Sequence, residues 1–244
     1  MKTALVTGAS GAIGGAIATA LACDGYALAL NYHSNRQKAE DLAKFISQKY
    51  SVPACAVYAD ISNPNDVRTM VDTVLSEFGH IDVLVNNSGI AQQKLFTDIT
   101  DEDWHKMVST NLSGAFYTTR EVVKSMLKHH SGSIINISSM WGQVGASCEV
   151  HYSTAKAGII GMTKALAKEV SLSNIRVNCV CPGAVKSDML SGFTNEDLQA
   201  ICDETPLSRL GEPQDIANMV SFLASDKASF ITGQIIGVNG GMII

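Results

Sequence analysis

The sequence is short of everything that would send a protein to a membrane, a metal or a nucleic acid. No run of about 18 apolar residues occurs, so nothing reads as a membrane span. The opening stretch reaches Thr7 and Gly8 after only Ala4, Leu5 and Val6, too few for the apolar segment of a secretion signal. The expected location is therefore the cytoplasm. Cys23, Cys55, Cys148, Cys179, Cys181 and Cys202 form no CxxC pair, and none has a histidine at metal-ligand spacing. In a reducing compartment they read as six small buried thiols, and no metal is expected. Lys and Arg number 18 against 23 Asp and Glu, and they are scattered, giving a net charge of −5. Neither nucleic acid nor an anionic membrane is an expected partner, since both need clustered positive charge. Charge is scarce altogether, at 17% against roughly 25% in an average soluble domain. The 46% of hydrophobic residues can fill a large core and cover surface shared between copies of the chain.

What is present is an alternation. Short apolar, β-rich runs at 3–7, 26–32, 54–59, 81–85, 133–138, 175–180 and 235–238 alternate with longer amphipathic stretches. Continuous apolar runs suit parallel strands covered on both faces. Asn63-Pro64 predicts a helix start, with Asn as cap and Pro in the first turn. "TDED" at 100–103 and "TNED" at 194–197 each resemble a capping box. The pattern predicts one α/β domain over 1–244, a doubly wound, parallel seven-stranded sheet with helices on both faces. The stretch 182–234 has no strand character, and its part around 184–210 is expected to form a lid.

Three places carry chemistry. "LVTGASGAIGGAIA" follows the first strand and opens the first helix. Its small residues allow close approach of a ligand, and the helix N-terminus offers free N–H groups to a phosphate. The second strand ends "NYHSN", without the acid that would hold the ribose hydroxyls of NAD. His33, Asn35 and Arg36 lie just beyond, so the sequence leans toward NADP. Finally, Tyr152 and Lys156 are four apart, on one face of a helix, where an ammonium can lower the tyrosine pKa toward a working range. Ser139 ends the fifth strand, at the sheet edge where such folds bind ligands.

Together these residues resemble the short-chain dehydrogenase/reductase family from end to end. "TGASGAIG" is similar to that family's TGxxx[AG]xG turn, "NNSG" at 86–89 to its NNAG and "NLSG" at 111–114 to its NxxG. Ser139, Tyr152 and Lys156 match its Ser…YxxxK, and Pro182-Gly183 its segment after the sixth strand. Ala12 for Gly and Ser88 for Ala are small-for-small departures. The resemblance implies a Rossmann-type fold, an NADPH-dependent ketone reductase and four catalytic residues. Tyr152 would donate a proton to the carbonyl oxygen and Ser139 would hydrogen-bond that oxygen. Lys156 would bind the nicotinamide ribose and lower the Tyr152 pKa, and Asn111 would hold a water leading to Lys156. The cofactor would be lined by Gly8, Ser10, Gly11, Ile13 and Gly14 of the turn, and by Asn31, Tyr32 and His33 after the second strand. Asp60 and Ile61, then Asn87, Ser88 and Gly89, then Pro182, Gly183 and Val185 would complete the lining. Cys148 and His151 have no part in this scheme, and Cys148 reads as packing.

The substrate is the open question. The chain resembles bacterial 3-oxoacyl-acyl-carrier-protein reductases, which dock an acidic carrier through basic residues near the end of the fourth helix and before the sixth strand. His130 and Ser173 stand at those positions here, with Lys124, Lys128 and His129 nearby. "WGQVGASCEVHY" is instead similar to reductases of a 5-aminopentanone attached to elongation factor P. Substrate contacts are expected from Ser139, Trp141, Glu149 and Tyr152. Glu149, three residues before Tyr152, would favour an amine-bearing ketone; otherwise it is a solvated acid at a helix start. A cofactor-binding regulatory protein without chemistry is the alternative of another class, opposed by the intact four residues. Ala157, Ile160, Gly161, Lys164 and Ala165 lie on the outer face of the following helix, which is expected to pack against a second subunit. The resemblance adds a homotetramer.

Overall fold

The computed structural model describes all 244 residues. In chain order its elements are β1 (Thr3–Val6), α1 (Ala12–Cys23), β2 (Ala27–Tyr32), α2 (Arg36–Tyr50), β3 (Ala54–Tyr58), α3 (Pro64–Phe78) and β4 (Val83–Asn86). Then come α4 (Asp101–Val108), α5 (Gly114–His129), β5 (Gly132–Ile137), the short α6 (Trp141–Val144), α7 (Val150–Val170) and β6 (Ile175–Pro182). α8 (Asn195–Glu204), α9 (Pro213–Ala224) and β7 (Ile235–Val238) complete the chain.

The seven strands form one sheet in the order β3-β2-β1-β4-β5-β6-β7. Every pairing is parallel. All seven apolar runs of the sequence are strands, with no end displaced by more than two residues. Strand side chains alternate between faces, and here both faces are apolar. Ala4, Val6, Val83, Val85, Ile135 and Ile137 face a core shared with Ile17 and Leu21 of α1 and Ile216 and Val220 of α9. Leu5, Leu84, Ile134 and Val177 face the other core, with Met70 and Val74 of α3, Val122 and Met126 of α5 and Val170 of α7. Each side is a doubly wound layer, and the order reverses at β1/β4, the point where such sheets open a crevice.

The predicted helix starts form. Asn63 Oδ1 accepts from the N–H of Asn65. Thr100 with Asp103, and Thr194 with Asp197, are reciprocal capping boxes. The strandless stretch begins at 183 rather than 182, because β6 runs through Pro182, paired opposite Val238. The reading of six buried thiols is corrected. Only Cys179 and Cys181 are buried; Cys23 is exposed, and Cys55, Cys148 and Cys202 are partly so. A cysteine on a helix surface or a loop looks the same in sequence as one in a strand.

Candidate active site

Because every strand is parallel, every strand ends at the same sheet edge, and the segments that follow them meet there. These are Gly8 after β1, His33 after β2, Asp60 after β3, Asn87 after β4, Ser139 after β5 and Gly183 after β6.

At the first of them the backbone is crowded to a degree only glycine permits. Gly8 has φ +64°, and a Cβ on Gly14 would lie 2.3 Å from the Gly8 carbonyl. Asn87 ties the turn to β4. Its Nδ2 donates to the carbonyls of Thr7 (3.0 Å) and Gly8 (3.3 Å), while the Thr7 hydroxyl accepts from the N–H groups of Asn87 and Ser88. α1 then begins with Gly11 as its cap, without a capping side chain and without an acid in its first turn. Its leading N–H groups are therefore free for a phosphate. Ser10, Gly11 and Ile13 lie at this mouth, so the residues present fit a dinucleotide.

The adenosine side is built differently. Asn31 is buried and its amide is spent on the fold: Oδ1 accepts from Gly8 N–H at 3.3 Å and Nδ2 donates to the Ala59 carbonyl at 3.2 Å. Tyr32 and His33 pack around Tyr58. Asp60 holds the N–H and hydroxyl of Ser62 and stands 4.0 Å from His33 Nε2. Ile61 is buried under Gly114. Asn35 caps α2, and the exposed Arg36 pairs with Glu40 at 2.7 Å.

The four chemistry-bearing residues converge at the centre. A Cβ on Gly89 would stand 3.2 Å from Asn111 Oδ1 and 3.3 Å from Lys156 Nζ, so this glycine keeps open the space between them. Asn111 lies in a π-helical turn, Ser109–Ser113, between α4 and α5. Such turns recur at functional sites. Its amide clamps Ile90, accepting from the Ile90 N–H and donating to the Ile90 carbonyl, both at 2.8 Å. Lys156 Nζ donates to the Ile137 carbonyl at 3.0 Å and sits 5.7 Å from the centre of the Tyr152 ring. Ser139 Oγ accepts from the N–H of Trp141 at 3.1 Å. Pro182 ends β6, Gly183 packs on Asn239, and Val185 bridges to Gly211.

The expected tyrosine activation is corrected. Burial pushes Tyr152 up to about 12; Ser139 opposes this and the charge of Glu149 adds to it. Lys156 is itself fully buried, which pulls its pKa down to about 8. Desolvation is the largest cause at both groups, and neither shift draws on the other residue. The result is a protonated phenol beside an easily neutralised amine. Cys148 is corrected as well. It has φ +62° and is only partly buried, and its contribution is a carbonyl that accepts from the N–H of Lys94 at 2.7 Å.

Known proteins resemble the chain over nearly its whole length. Residues 8–243 match the family described as enoyl-(acyl carrier protein) reductase. The chain is 44% identical over 241 residues to a 3-oxoacyl-acyl-carrier-protein reductase of Staphylococcus aureus, covering 99% of this chain and 98% of that one. A reductase of the same description from Aquifex aeolicus is 40% identical over 241 residues, covering 99% and 97%. An uncharacterized oxidoreductase of Bacillus subtilis, YmfI, is 43% identical over 240 residues, 98% of each chain. With the glycine turn, the Asn111–Ser139–Tyr152–Lys156 centre and these relatives, the chain belongs to the short-chain dehydrogenase/reductase family and is an NAD(P)-dependent oxidoreductase acting on ketones.

Proposed function

We propose that the protein uses NADPH to reduce an amine-bearing ketone carried on another protein. The nicotinamide supplies the hydride when bound. Tyr152 is the proton donor: with its pKa near 12 the phenol carries its proton throughout the neutral range. Ser139 hydrogen-bonds the substrate oxygen, and Lys156 stabilises the phenolate left behind and holds the nicotinamide ribose. Asn111 places a water from which the proton is restored. Segment 184–210 closes over the substrate as a lid, beside Trp141.

One observation carries the choice of substrate. Glu149 is half-buried three residues before Tyr152, and its only side-chain partner is Gln93, at 3.2 Å. Burial raises its pKa. A desolvated carboxylate without a counter-ion suits an incoming ammonium. The 5-aminopentanone group on elongation factor P is a ketone of this kind. The 44% identical reductase favours a second reading, a 3-oxoacyl group on acyl carrier protein. Against it, Lys124 is already paired with Glu121, which also takes Arg120, and the matching docking positions are His130 and Ser173.

For the cofactor, the absence of an acid at Tyr32 and His33 supports NADPH; a 2′-phosphate would meet His33 and compete with Glu40 for Arg36. For assembly, Ala157, Gly161, Lys164 and Ala165 are exposed along α7, and Leu172 (99%) and Phe230 (100%) are bare apolar side chains. A homotetramer covers them; light scattering at the mass of one chain, 25.9 kDa, would end that reading.

The deciding experiment follows NADPH consumption with a 3-oxoacyl thioester and an amino-ketone side by side. Higher kcat/KM for the amino-ketone is expected. The reverse order selects the carrier-protein reading, and no turnover of either with NADPH bound selects the regulatory one.

A further inference from the structure

The catalytic scheme leaves one buried group unused. His151, directly before Tyr152, has no exposed surface at all. Its Nδ1 is buried without a partner, and its Nε2 meets Gln92 Oε1 at 2.9 Å. Gln92 in turn donates through Nε2 to Asp103 Oδ1 at 3.0 Å. That donation leaves only the Gln92 oxygen for His151, so the imidazole must carry its proton on Nε2. Burial also holds the ring below its ordinary pKa, as the neutral form.

The bond closes a circuit. Asp103 lies in the first turn of α4, where it also takes Lys94 Nζ at 2.6 Å. α4 leads into the turn bearing Asn111, Asn111 clamps Ile90 on both sides, and two residues later the chain is back at Gln92. On the far side the next two residues are tied to the approach to α7, Gln93 to Glu149 and the Lys94 N–H to the Cys148 carbonyl. Thus segment 90–94 spans from Asn111 to the residue beside Tyr152, fastened at both ends.

We propose that His151 and Gln92 are positioning residues, whose bond fixes the distance between Asn111 and Tyr152 across the substrate wall. The proposal rests on Tyr152 as proton donor. It requires that breaking the bond slow the reaction while leaving the phosphate-binding turn after β1 intact.

The test compares Gln92→Ala, His151→Ala, the double variant and His151→Gln, whose amide can donate from nearly the place of Nε2. Steady-state ketone reduction, NADPH titration and thermal unfolding are measured on each. Gln92 is partly exposed, so its truncation keeps the fold available even where His151→Ala does not. Each alanine variant is expected to lower kcat about tenfold, with NADPH Kd within about twofold and KM little changed. The double variant should be no slower than the slower single one, and His151→Gln should recover most of the rate. Wild-type kcat in Gln92→Ala, losses that multiply in the double variant, or a His151→Gln variant as slow as His151→Ala would each overturn the proposal. Tyr152→Phe is assayed alongside: if it retains turnover, the proton-donor reading has failed on its own account.

Discussion

The two halves of the site are held together by different means. The cofactor half is made from main chain: Gly8 against Gly14, carbonyls of Thr7 and Gly8 gripped by Asn87, free N–H groups at the start of α1. The substrate half is made from side chains bonded to side chains, Gln92 to His151 and Asp103, Gln93 to Glu149, Lys94 to Asp103. A dinucleotide presents the same phosphates to every enzyme that uses it, and backbone amides suffice for those. A particular ketone is met by groups that a single substitution can exchange. Tolerance should therefore differ between the halves in kind as well as in degree.

The largest expected effect is on the substrate half. Tyr152→Phe keeps the ring and removes the proton donor, so kcat should fall about a thousandfold while NADPH still binds. Fluorescence titration of the nicotinamide and a ketone assay on the same sample separate the two; turnover within tenfold of wild type would refute the assignment.

Next comes the cofactor half. Gly14→Ala places a methyl group 2.3 Å from the Gly8 carbonyl and 2.7 Å from Asn87 Nδ2. NADPH affinity should drop by about a hundredfold, equally for every ketone assayed, since a misplaced backbone cannot be corrected by the substrate. Wild-type affinity would mean that the turn yields where it looks rigid.

The pH profile gives a smaller effect that belongs to both halves. Lys156 loses its charge as pH rises through about 8, whereas Tyr152 keeps its proton to about 12. kcat/KM for reduction should therefore fall about tenfold per pH unit above 8, with Lys156 as the titrating group. A profile flat to pH 10 would show that the charge on Lys156 is not required.

The smallest expected effect is the most specific. Glu149→Gln keeps the shape and the bond to Gln93 but removes the charge. The preference for an amino-ketone over a neutral ketone should shrink about fivefold to tenfold, with NADPH affinity unchanged. An unaltered preference, read from paired kcat/KM values, would assign Glu149 to the helix start alone.

The sequence showed one half of this contrast better than the other. The strands were legible because apolar runs such as "ALVT" and "IINI" must be covered on both faces, and the glycine turn because its spacing is local. Asn111, Ser139, Tyr152 and Lys156 were legible through their order along the chain. The bond between Gln92 and His151 was not, since 59 residues separate them and neither segment has a pattern pointing to the other. Nor was the pKa of Tyr152, which follows from how deeply that phenol is itself buried and not from its spacing to Lys156. Spacing records which groups share a face; it does not record how dry that face is.

The π-helical turn that carries Asn111 also constrains chain length. From Asp101 to His129 the backbone is helical without a break, yet the Gly114 N–H reaches back five residues, to the Ser109 carbonyl. One residue more than a regular helix needs is stored there. Deleting one residue in 109–113 would let the wide turn close to a regular one, with α4 and α5 keeping nearly the same rotation about the axis. Asp103 and Thr118 would keep their faces, but the widened turn that aims Asn111 at Ile90 would be lost. The stored residue thus serves the aim of Asn111 and not the spacing of its neighbours, and chimaeras with relatives should exchange 109–113 whole or leave it alone.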